Sequence, residues 1–164
     1  MLKQRGVFWL WISALVLLLD LWTKQLASDS LTLYVPEKIT GFFNLTLMHN
    51  KGVAFSFLAD QSGWQRYFIA VVASLIVIWL FYWLYRNSRK LLLQNVALCF
   101  VIGGALGNIW DRIVLGYVVD FLEFHYQGYF WPAFNVADSA ISIGAVLLII
   151  DAIKNKDENS TGKS

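Results

Sequence analysis

The stretch from Tyr67 to Tyr85 reads YFIAVVASLIVIWLFYWLY and contains no charged residue, while Arg66 and Arg86 stand at its two ends. A helix needs about 20 mainly apolar residues to cross the hydrocarbon core of a bilayer, at ~1.5 Å per residue. The stretch therefore predicts a transmembrane helix with a cation at each end. It decides the fold class, because a chain with such a helix has to be interpreted in a membrane.

Three other segments, at about 7–27, 91–112 and 133–152, are also long and mainly apolar, although they contain a few charged residues. The chain is therefore expected to have four spans, of which 67–85 is the second. The composition agrees, since 58% of the 164 residues are hydrophobic and 15% are charged, whereas soluble domains average about 25% charged residues. The first segment resembles a cleaved signal peptide in its basic start, but its apolar run continues past Asp20 without a small-x-small cleavage site. We therefore expect it to be retained as a span.

The placement of basic residues predicts the orientation of these spans, because Lys and Arg concentrate in cytoplasmic loops. They precede the first span, fill the loop between spans two and three, and follow the fourth span. Both termini are then cytoplasmic, and the connections 28–65 and 113–132 are periplasmic. We expect a single membrane domain over 1–153 and a disordered polar cytoplasmic tail over 154–164.

The two outer connections carry strand patterns. Residues 43–47 alternate apolar and polar side chains, and Asn50-Lys51-Gly52 is a turn signal ahead of the apolar run 53–57. Residues 117–131 are aromatic and alternate in places. The sequence predicts a mainly α, integral membrane fold with a small β-hairpin or sheet on the outer membrane face.

Polar side chains inside spans are costly in lipid, so they usually pair or face a wet cavity. Asp20 and Lys24 are four residues apart and share a helix face with the acid first, the favourable order for an ion pair. Their spacing fits a salt bridge that ends the span better than a substrate contact, although both interpretations stay open.

The end of the third span is also polar. Gly103 and Gly107 form a small-xxx-small pair that lets another helix approach closely. Asn108 and Arg112 share a face, and Asn108 lies one turn deeper, where its amide needs hydrogen-bond partners. Asp111 and Arg112 also fit a plain interfacial helix end.

The fourth span opens with Asn135 and Asp138, three residues apart on one face. A helix N-cap and a first-turn acid would explain these two residues, but not Asp120, which lies in an apolar aromatic stretch. His49 and His125 lack a spacing suited to zinc, so we expect no metal. Asp120 and Asp138 remain the best acid–base pair, in which two nearby carboxylates share one proton. Spacing alone leaves a proton-coupled transporter open.

Taken in order, the polar motifs of the chain strongly resemble those of bacterial lipoprotein signal peptidase, signal peptidase II. The resemblance covers about residues 7–150. The matching motifs are Asp20-Leu21-Trp22-Thr23-Lys24, Asn50-Lys51-Gly52-Val53-Ala54-Phe55, the Gly-Asn-x-x-Asp-Arg of 107–112, Val118-Val119-Asp120 and the Phe-Asn-x-Ala-Asp of 134–138.

The resemblance implies a four-span inner-membrane aspartyl endopeptidase with a periplasmic β-cradle and no cofactor. Its substrates would be diacylglyceryl-modified prolipoproteins, cut just before the lipidated cysteine. We further expect a monomer in contact with membrane lipid and no nucleic-acid partner. Asp120 and Asp138 match the catalytic pair, and the positions that match site-shaping residues are Asn50, Gly52, Asn108, Arg112, Asn135, Asp20 and Lys24.

This match reverses the preference for a plain salt bridge at Asp20 and Lys24, since both residues match positions near the site. The competing functions are a small proton-coupled transporter or lipid carrier, and a structural assembly subunit. A transporter needs acids that are accessible from both membrane faces. Here the polar positions gather at the outer ends of the spans, which favours the peptidase.

Overall fold

The computed structural model describes residues 5–52 and 64–161, and within these ranges it contains four helices long and apolar enough to cross a membrane. A 3₁₀ turn, Gly6–Trp9, leads into the first helix. The helices are α1 (Leu10–Ser30), α2 (Trp64–Arg86), α3 (Leu92–Val114) and α4 (Val136–Thr161). The mainly helical membrane fold predicted from the sequence is confirmed.

A small antiparallel sheet accompanies the helices. Its four strands lie side by side in their order along the chain: β1 (Glu37–Lys38), β2 (Phe43–Asn50), β3 (Val118–Tyr126) and β4 (Tyr129–Phe130). The sheet confirms the predicted β element. The central pair joins the two outer connections, because Asn44 lies opposite Glu123 and Met48 lies opposite Asp120.

The predicted turn at Asn50–Gly52 forms a local hydrogen bond. Gly52 has φ of 91°, and its N–H donates to Asn50 Oδ1 at 2.9 Å. A residue with positive φ is preferably glycine, which explains the residue type at this position. The expected strand over 53–57 lies outside the described residues.

Helix α3 is the centre of the bundle and packs against α1, α2 and α4. Two adjacent glycines permit two of these approaches. A Cβ atom at Gly103 would lie 2.7 Å from the carbonyl oxygen of Ser13 in α1, and one at Gly104 would overlap that of Ala137 in α4. Small residues at such crossings let helix backbones meet in a membrane.

Two apolar cores hold the molecule together. One lies inside the helix bundle and includes Leu84, Leu98 and Ile102, each at most 2% exposed. The other joins the end of α1 to the sheet through Ala27, Val119 and neighbouring side chains. The second core fixes β3 against the bundle, which determines where Asp120 lies.

The end of α4 corrects one expectation. The sequence predicted a disordered tail from Lys154, but the helix continues to Thr161. The Asn155 side chain donates a hydrogen bond of 3.0 Å to Asp151, one turn earlier. Such pairs support helix beyond the apolar segment, and Lys and Glu are themselves good helix formers.

Candidate active site

Asp120 lies in β3 with its side chain 1% exposed. Its neighbours Val119 and Phe121 belong to the core between α1 and the sheet, so the alternation of the strand turns Asp120 the other way. Two amide groups donate to its carboxylate, Asn50 to Oδ2 at 3.0 Å and Asn135 to Oδ1 at 2.7 Å.

Asp138 lies in the first turn of α4 and is only partly buried. Its backbone N–H donates to Asn135 Oδ1 at 2.9 Å, so Asn135 is the N-cap of the helix. The Asn108 side chain donates to Asp138 Oδ1 at 2.7 Å. The helix-cap explanation for Asn135 is therefore correct, yet it does not exhaust the role of that residue.

The two aspartates are connected through two amide side chains. The Asn135 amide nitrogen, which donates to Asp120, also lies 3.3 Å from Asn108 Oδ1. Asn108 in turn donates to Asp138. We call the connected set Asp120–Asn135–Asn108–Asp138 the amide bridge. It brings together the four residues that the sequence placed on three different elements.

A buried cation lies behind the amide bridge. Lys24 Nζ is 3.0 Å from Asn108 Oδ1, 2.7 Å from Asp20 Oδ2 and 3.0 Å from Asp111 Oδ2. The Lys24 side chain is 3% exposed and that of Asp20 is 0% exposed. Buried charges are tolerated only when they are paired and hydrogen-bonded, and this cluster satisfies that condition.

The two acids of this cluster also hold backbone next to the candidate pair. Asp20 Oδ1 accepts the N–H of Ala137 at 2.8 Å, directly before Asp138. Asp111 Oδ2 accepts the N–H of Val119 at 3.1 Å, directly before Asp120. Lys24 therefore connects to both aspartates by matching routes.

This geometry corrects the plain interpretation of Asp20 and Lys24 as a salt bridge that ends the span. Both residues are buried in mid-helix, and α1 continues to Ser30. Gly107 makes the position of Asp20 possible, because a Cβ atom at Gly107 would overlap the Asp20 carboxylate.

Asp111 is a site residue that the sequence analysis missed. Its position beside Arg112 fitted an interfacial helix end, yet its side chain is buried and contacts Lys24. Its place in the Gly-Asn-x-x-Asp-Arg motif, one turn after Asn108, was the available signal. Arg112 Nη1 donates to the carbonyl oxygen of Asn108 at 2.9 Å, and its charge acts on Asp138, Asp120 and Asp111.

The pKa of Asp120 is raised to about 6, mainly by burial and also by the nearby Asp138, while the hydrogen bonds from Asn50 and Asn135 oppose this rise. Loss of hydration disfavours the charged carboxylate, which explains the direction of the largest effect. Asp120 thus keeps a proton at pH values where an ordinary aspartate has lost it.

Among the described residues, no group of three or more His, Cys, Asp or Glu side chains is arranged to hold a metal ion. His49 stacks on Tyr117 with ring centres 3.9 Å apart. His125 lies 3.1 Å from Asn44 Oδ1. The absence of a metal and of a cofactor stays a prediction.

Comparison with known proteins agrees with the motifs. The family model described as signal peptidase (SPase) II matches residues 12–154. A lipoprotein signal peptidase of Alteromonas mediterranea is 51% identical over 161 residues, covering 96% of this chain and 87% of that protein. One of Acinetobacter baumannii is 48% identical, covering 94% of this chain and 90% of that protein.

A solved structure has the same fold. It is described as a bacterial membrane enzyme determined by the in meso method at 1.9 Å resolution, and it is 31% identical with a TM-score of 0.81, covering 94% of this chain and 98% of its own. These relatives do not support a proton-coupled transporter or a lipid carrier. The resemblance seen in the sequence is confirmed: the chain belongs to the signal peptidase II family and is a membrane protease that removes signal peptides.

Proposed function

We propose that this protease cuts diacylglyceryl-modified prolipoproteins just before the lipidated cysteine, with Asp120 and Asp138 as its catalytic pair. The amide bridge carries the proposal, because it ties two carboxylates of different exposure to one another and to a buried cation. The name lipoprotein signal peptidase, given to the relatives, supports the substrate class.

The two carboxylates take different roles. We assign the proton of the pair to Asp120, because burial raises its pKa to about 6, well above that of an ordinary aspartate. Asp138 is more exposed and lies close to Arg112, so we assign it the role of base. An acid–base pair of this kind supports hydrolysis when one member is protonated and the other is not.

The reaction then follows from these protonation states. Asp138 takes a proton from a water whose oxygen attacks the scissile carbonyl carbon, while Asp120 gives its proton to the carbonyl oxygen. The C–N bond breaks as Asp138 passes its proton to the leaving nitrogen and Asp120 recovers its own. Asn108 and Asn135 orient the two carboxylates throughout.

The substrate approaches from the bilayer at the same end of the bundle. An apolar groove of about 270 Å³ lies between Tyr67–Leu75 of α2 and Ile113 of α3, next to Arg112. Its position suits an acyl chain of the lipidated cysteine, with Arg112 near the peptide backbone. The region 42–58 would cover the site from the aqueous side, although 53–58 lie outside the described residues.

The protein works in the bacterial inner membrane, with the site at the periplasmic face and both termini in the cytoplasm. Support comes from Arg5, Arg86, Arg89 and Lys90, which gather at the end of the bundle opposite the aspartates. Basic residues near span ends favour the cytoplasmic side. We expect the working unit to be a monomer surrounded by lipid.

The decisive experiment measures cleavage of a purified diacylglyceryl prolipoprotein by the full chain and by Asp120→Asn and Asp138→Asn. Each variant should lose about 10²–10⁴-fold in rate or more, because each lacks one partner of the acid–base pair. Unacylated prolipoprotein tests the substrate class and should be left intact.

Glu123→Gln is the matched control. Glu123 is also a buried carboxylate in β3, but it accepts from Asn44 and Thr46 and lies away from the amide bridge. Its substitution should leave cleavage within a few-fold of wild type. Undiminished cleavage by a folded Asp120→Asn or Asp138→Asn protein would refute the aspartyl mechanism.

A further inference from the structure

A second, larger groove runs along the bundle between α1 and α2, with α3 as its floor. Its volume is about 510 Å³, within the ~300–1,000 Å³ range of ligand pockets. It exists because α2 packs mainly against α3, so its flank facing α1 stays open. Side chains from all three helices line it: Leu10, Ala14, Leu17, Ile78, Phe81 and Ile102.

The groove wall is apolar except for one serine. Ser13, the polar residue of its lining, donates its hydroxyl to the Cys99 carbonyl oxygen at 2.9 Å. Ile78 and Phe81 are 64% and 44% exposed, so the groove opens to the side of the bundle. A wall without available hydrogen-bonding groups fits a hydrocarbon chain.

A cation stands at one end of this groove. Tyr85 lies one turn beyond Phe81 on α2, and the Arg5 guanidinium carbon lies 4.1 Å from the centre of its ring. Arg5 Nη1 also lies 3.4 Å from the Tyr85 carbonyl oxygen. Guanidinium presents five N–H donors in a fork, so a phosphate at this end has several to bind.

More basic residues surround the same end. Arg86 is the last residue of α2, Arg89 and Lys90 follow it, and all three are exposed. The Arg89 guanidinium lies 3.5 Å from the centre of the Phe8 ring, and the Trp9 indole N–H donates to the Arg89 carbonyl oxygen at 3.3 Å. Indole and basic side chains together are typical of the level of lipid headgroups.

We propose that this groove binds one acyl chain of an anionic bilayer phospholipid, with the phosphate held by Arg5 and the basic residues that follow α2. Basic pockets between transmembrane helices bind anionic headgroups in this way. The cationic end of the groove is distinct from the catalytic site, since Leu10 and Lys24 are ~21 Å apart along α1 at ~1.5 Å per residue. The opposite end of the groove, at Leu17 and Leu106, lies within one turn of Asp20 and Asn108.

Charge and position favour this occupant over two others. A substrate whose polar end was held by Arg5 would have its scissile bond at the end of the bundle opposite Asp120 and Asp138. A second copy of the chain would bring its own basic end beside this one, which like-charge repulsion opposes. An anionic lipid satisfies both the apolar wall and the cationic end.

The test is native mass spectrometry of the full chain in detergent, mixed with equal amounts of phosphatidylglycerol and phosphatidylcholine. One phosphatidylglycerol per chain should be retained preferentially, by about fivefold for each contacting cation. Arg5→Gln should reduce that preference about fivefold. Lys154→Gln removes a charge from exposed α4 and should change nothing.

A second pair of variants tests the groove itself. Ala14→Phe fills it and should lower retention of both lipids, whereas Ala145→Phe, at an exposed position of α4, should not. Equal retention of the two lipids, or retention unchanged by Ala14→Phe, would overturn the proposal. Two further results for Ala14→Phe would also overturn the proposal if phosphatidylglycerol stayed bound. One is loss of a dimer from the mass spectrum, and the other is a raised KM for lipopeptide.

Discussion

Polar side chains lie at both ends of the helix bundle, but the two sets differ in kind. One set lies at the end of the bundle where a short loop connects α2 to α3. There, Asn87 donates to Gln94 at 2.7 Å and to Asn95 at 3.0 Å. Gln94 donates to Asp151 at 3.1 Å, and Asn95 to the Ser88 carbonyl oxygen at 2.8 Å. We call this set the amide latch, because it joins α2, α3 and α4 mainly through amides.

The opposite end uses amides as well, but it adds a buried lysine and several carboxylates. The amide latch stabilises the bundle through packing and hydrogen bonds, without a buried lysine. At the opposite end, Lys24 is held in contact with the amide bridge, whose two aspartates differ in exposure. Buried polar groups thus stabilise the fold at one end of the bundle and, in our proposal, carry out chemistry at the other.

The largest effect should follow from Lys24→Met. It leaves Asp20 and Asp111 buried without their cation, which typically costs about 3–5 kcal/mol of unfolding free energy. Cleavage should fall to background. Detergent-denaturation curves and lipopeptide cleavage measure both effects.

The matched change in the latch is Gln94→Met, which removes hydrogen bonds without stranding a cation's partners. It should cost about 1–2 kcal/mol and leave kcat unchanged. If Lys24→Met proved no more damaging than Gln94→Met, the end with the buried lysine and the end with the amide latch would not differ as we argue.

Gly107→Ala should come next in size. The added methyl group overlaps the Asp20 carboxylate, so Asp20 has to shift and loosen the backbone before Asp138. A displacement of ~1 Å at such a site can cost about 10²-fold in rate. Cleavage kinetics measure it, with Gly41→Ala as control because a Cβ there meets nothing within 4 Å.

Asn95→Leu should have a smaller effect and only on stability. Asn95 is fully buried and its amide bonds join Asn87 and the Ser88 carbonyl oxygen. Leaving these partners unsatisfied costs about 1–3 kcal/mol. The unfolding midpoint should drop while kcat/KM of the remaining folded enzyme is unchanged, and a proportional loss of kcat/KM would merge the two ends into one functional unit.

The last comparison concerns the pH dependence of stability. Burial raises the pKa of folded Asp120 from 3.8 to about 6, so the folded state binds this proton more tightly than the unfolded chain. Its contribution to stability is therefore fully present below about pH 4 and is lost as pH rises through about 6, by at most ~1.4 kcal/mol per pH unit.

Asp120→Asn should remove that pH dependence. Subtracting the unfolding free energy of the variant from that of wild type at several pH values isolates the contribution of Asp120. The Asp151→Asn variant of the latch serves as comparison. Identical pH dependences of wild type and Asp120→Asn would contradict a protonated Asp120.

The spans could be predicted from sequence because a bilayer demands long apolar runs, and the cost of polar groups in lipid singled out Asn108 and Asp138. The β2–β3 pairing could not, since Asn50 and Asp120 meet across seventy residues without a local pattern. Asp111 was missed because a charge at a helix end has a plain interfacial explanation. Its contact with Lys24 appears in the folded structure, although its place in the Gly-Asn-x-x-Asp-Arg motif pointed the same way.

The ion pair inside α1 has a consequence for how the protein enters the membrane. Asp20 and Lys24 are neighbours within a single helix, 2.7 Å apart, whereas Asp111 and Asn108 belong to a helix synthesised later. An isolated charge at mid-membrane costs about 2.5–3.5 kcal/mol on insertion scales. Because Asp20 and Lys24 neutralise each other within the first helix, this helix can enter the bilayer before the third helix has been inserted.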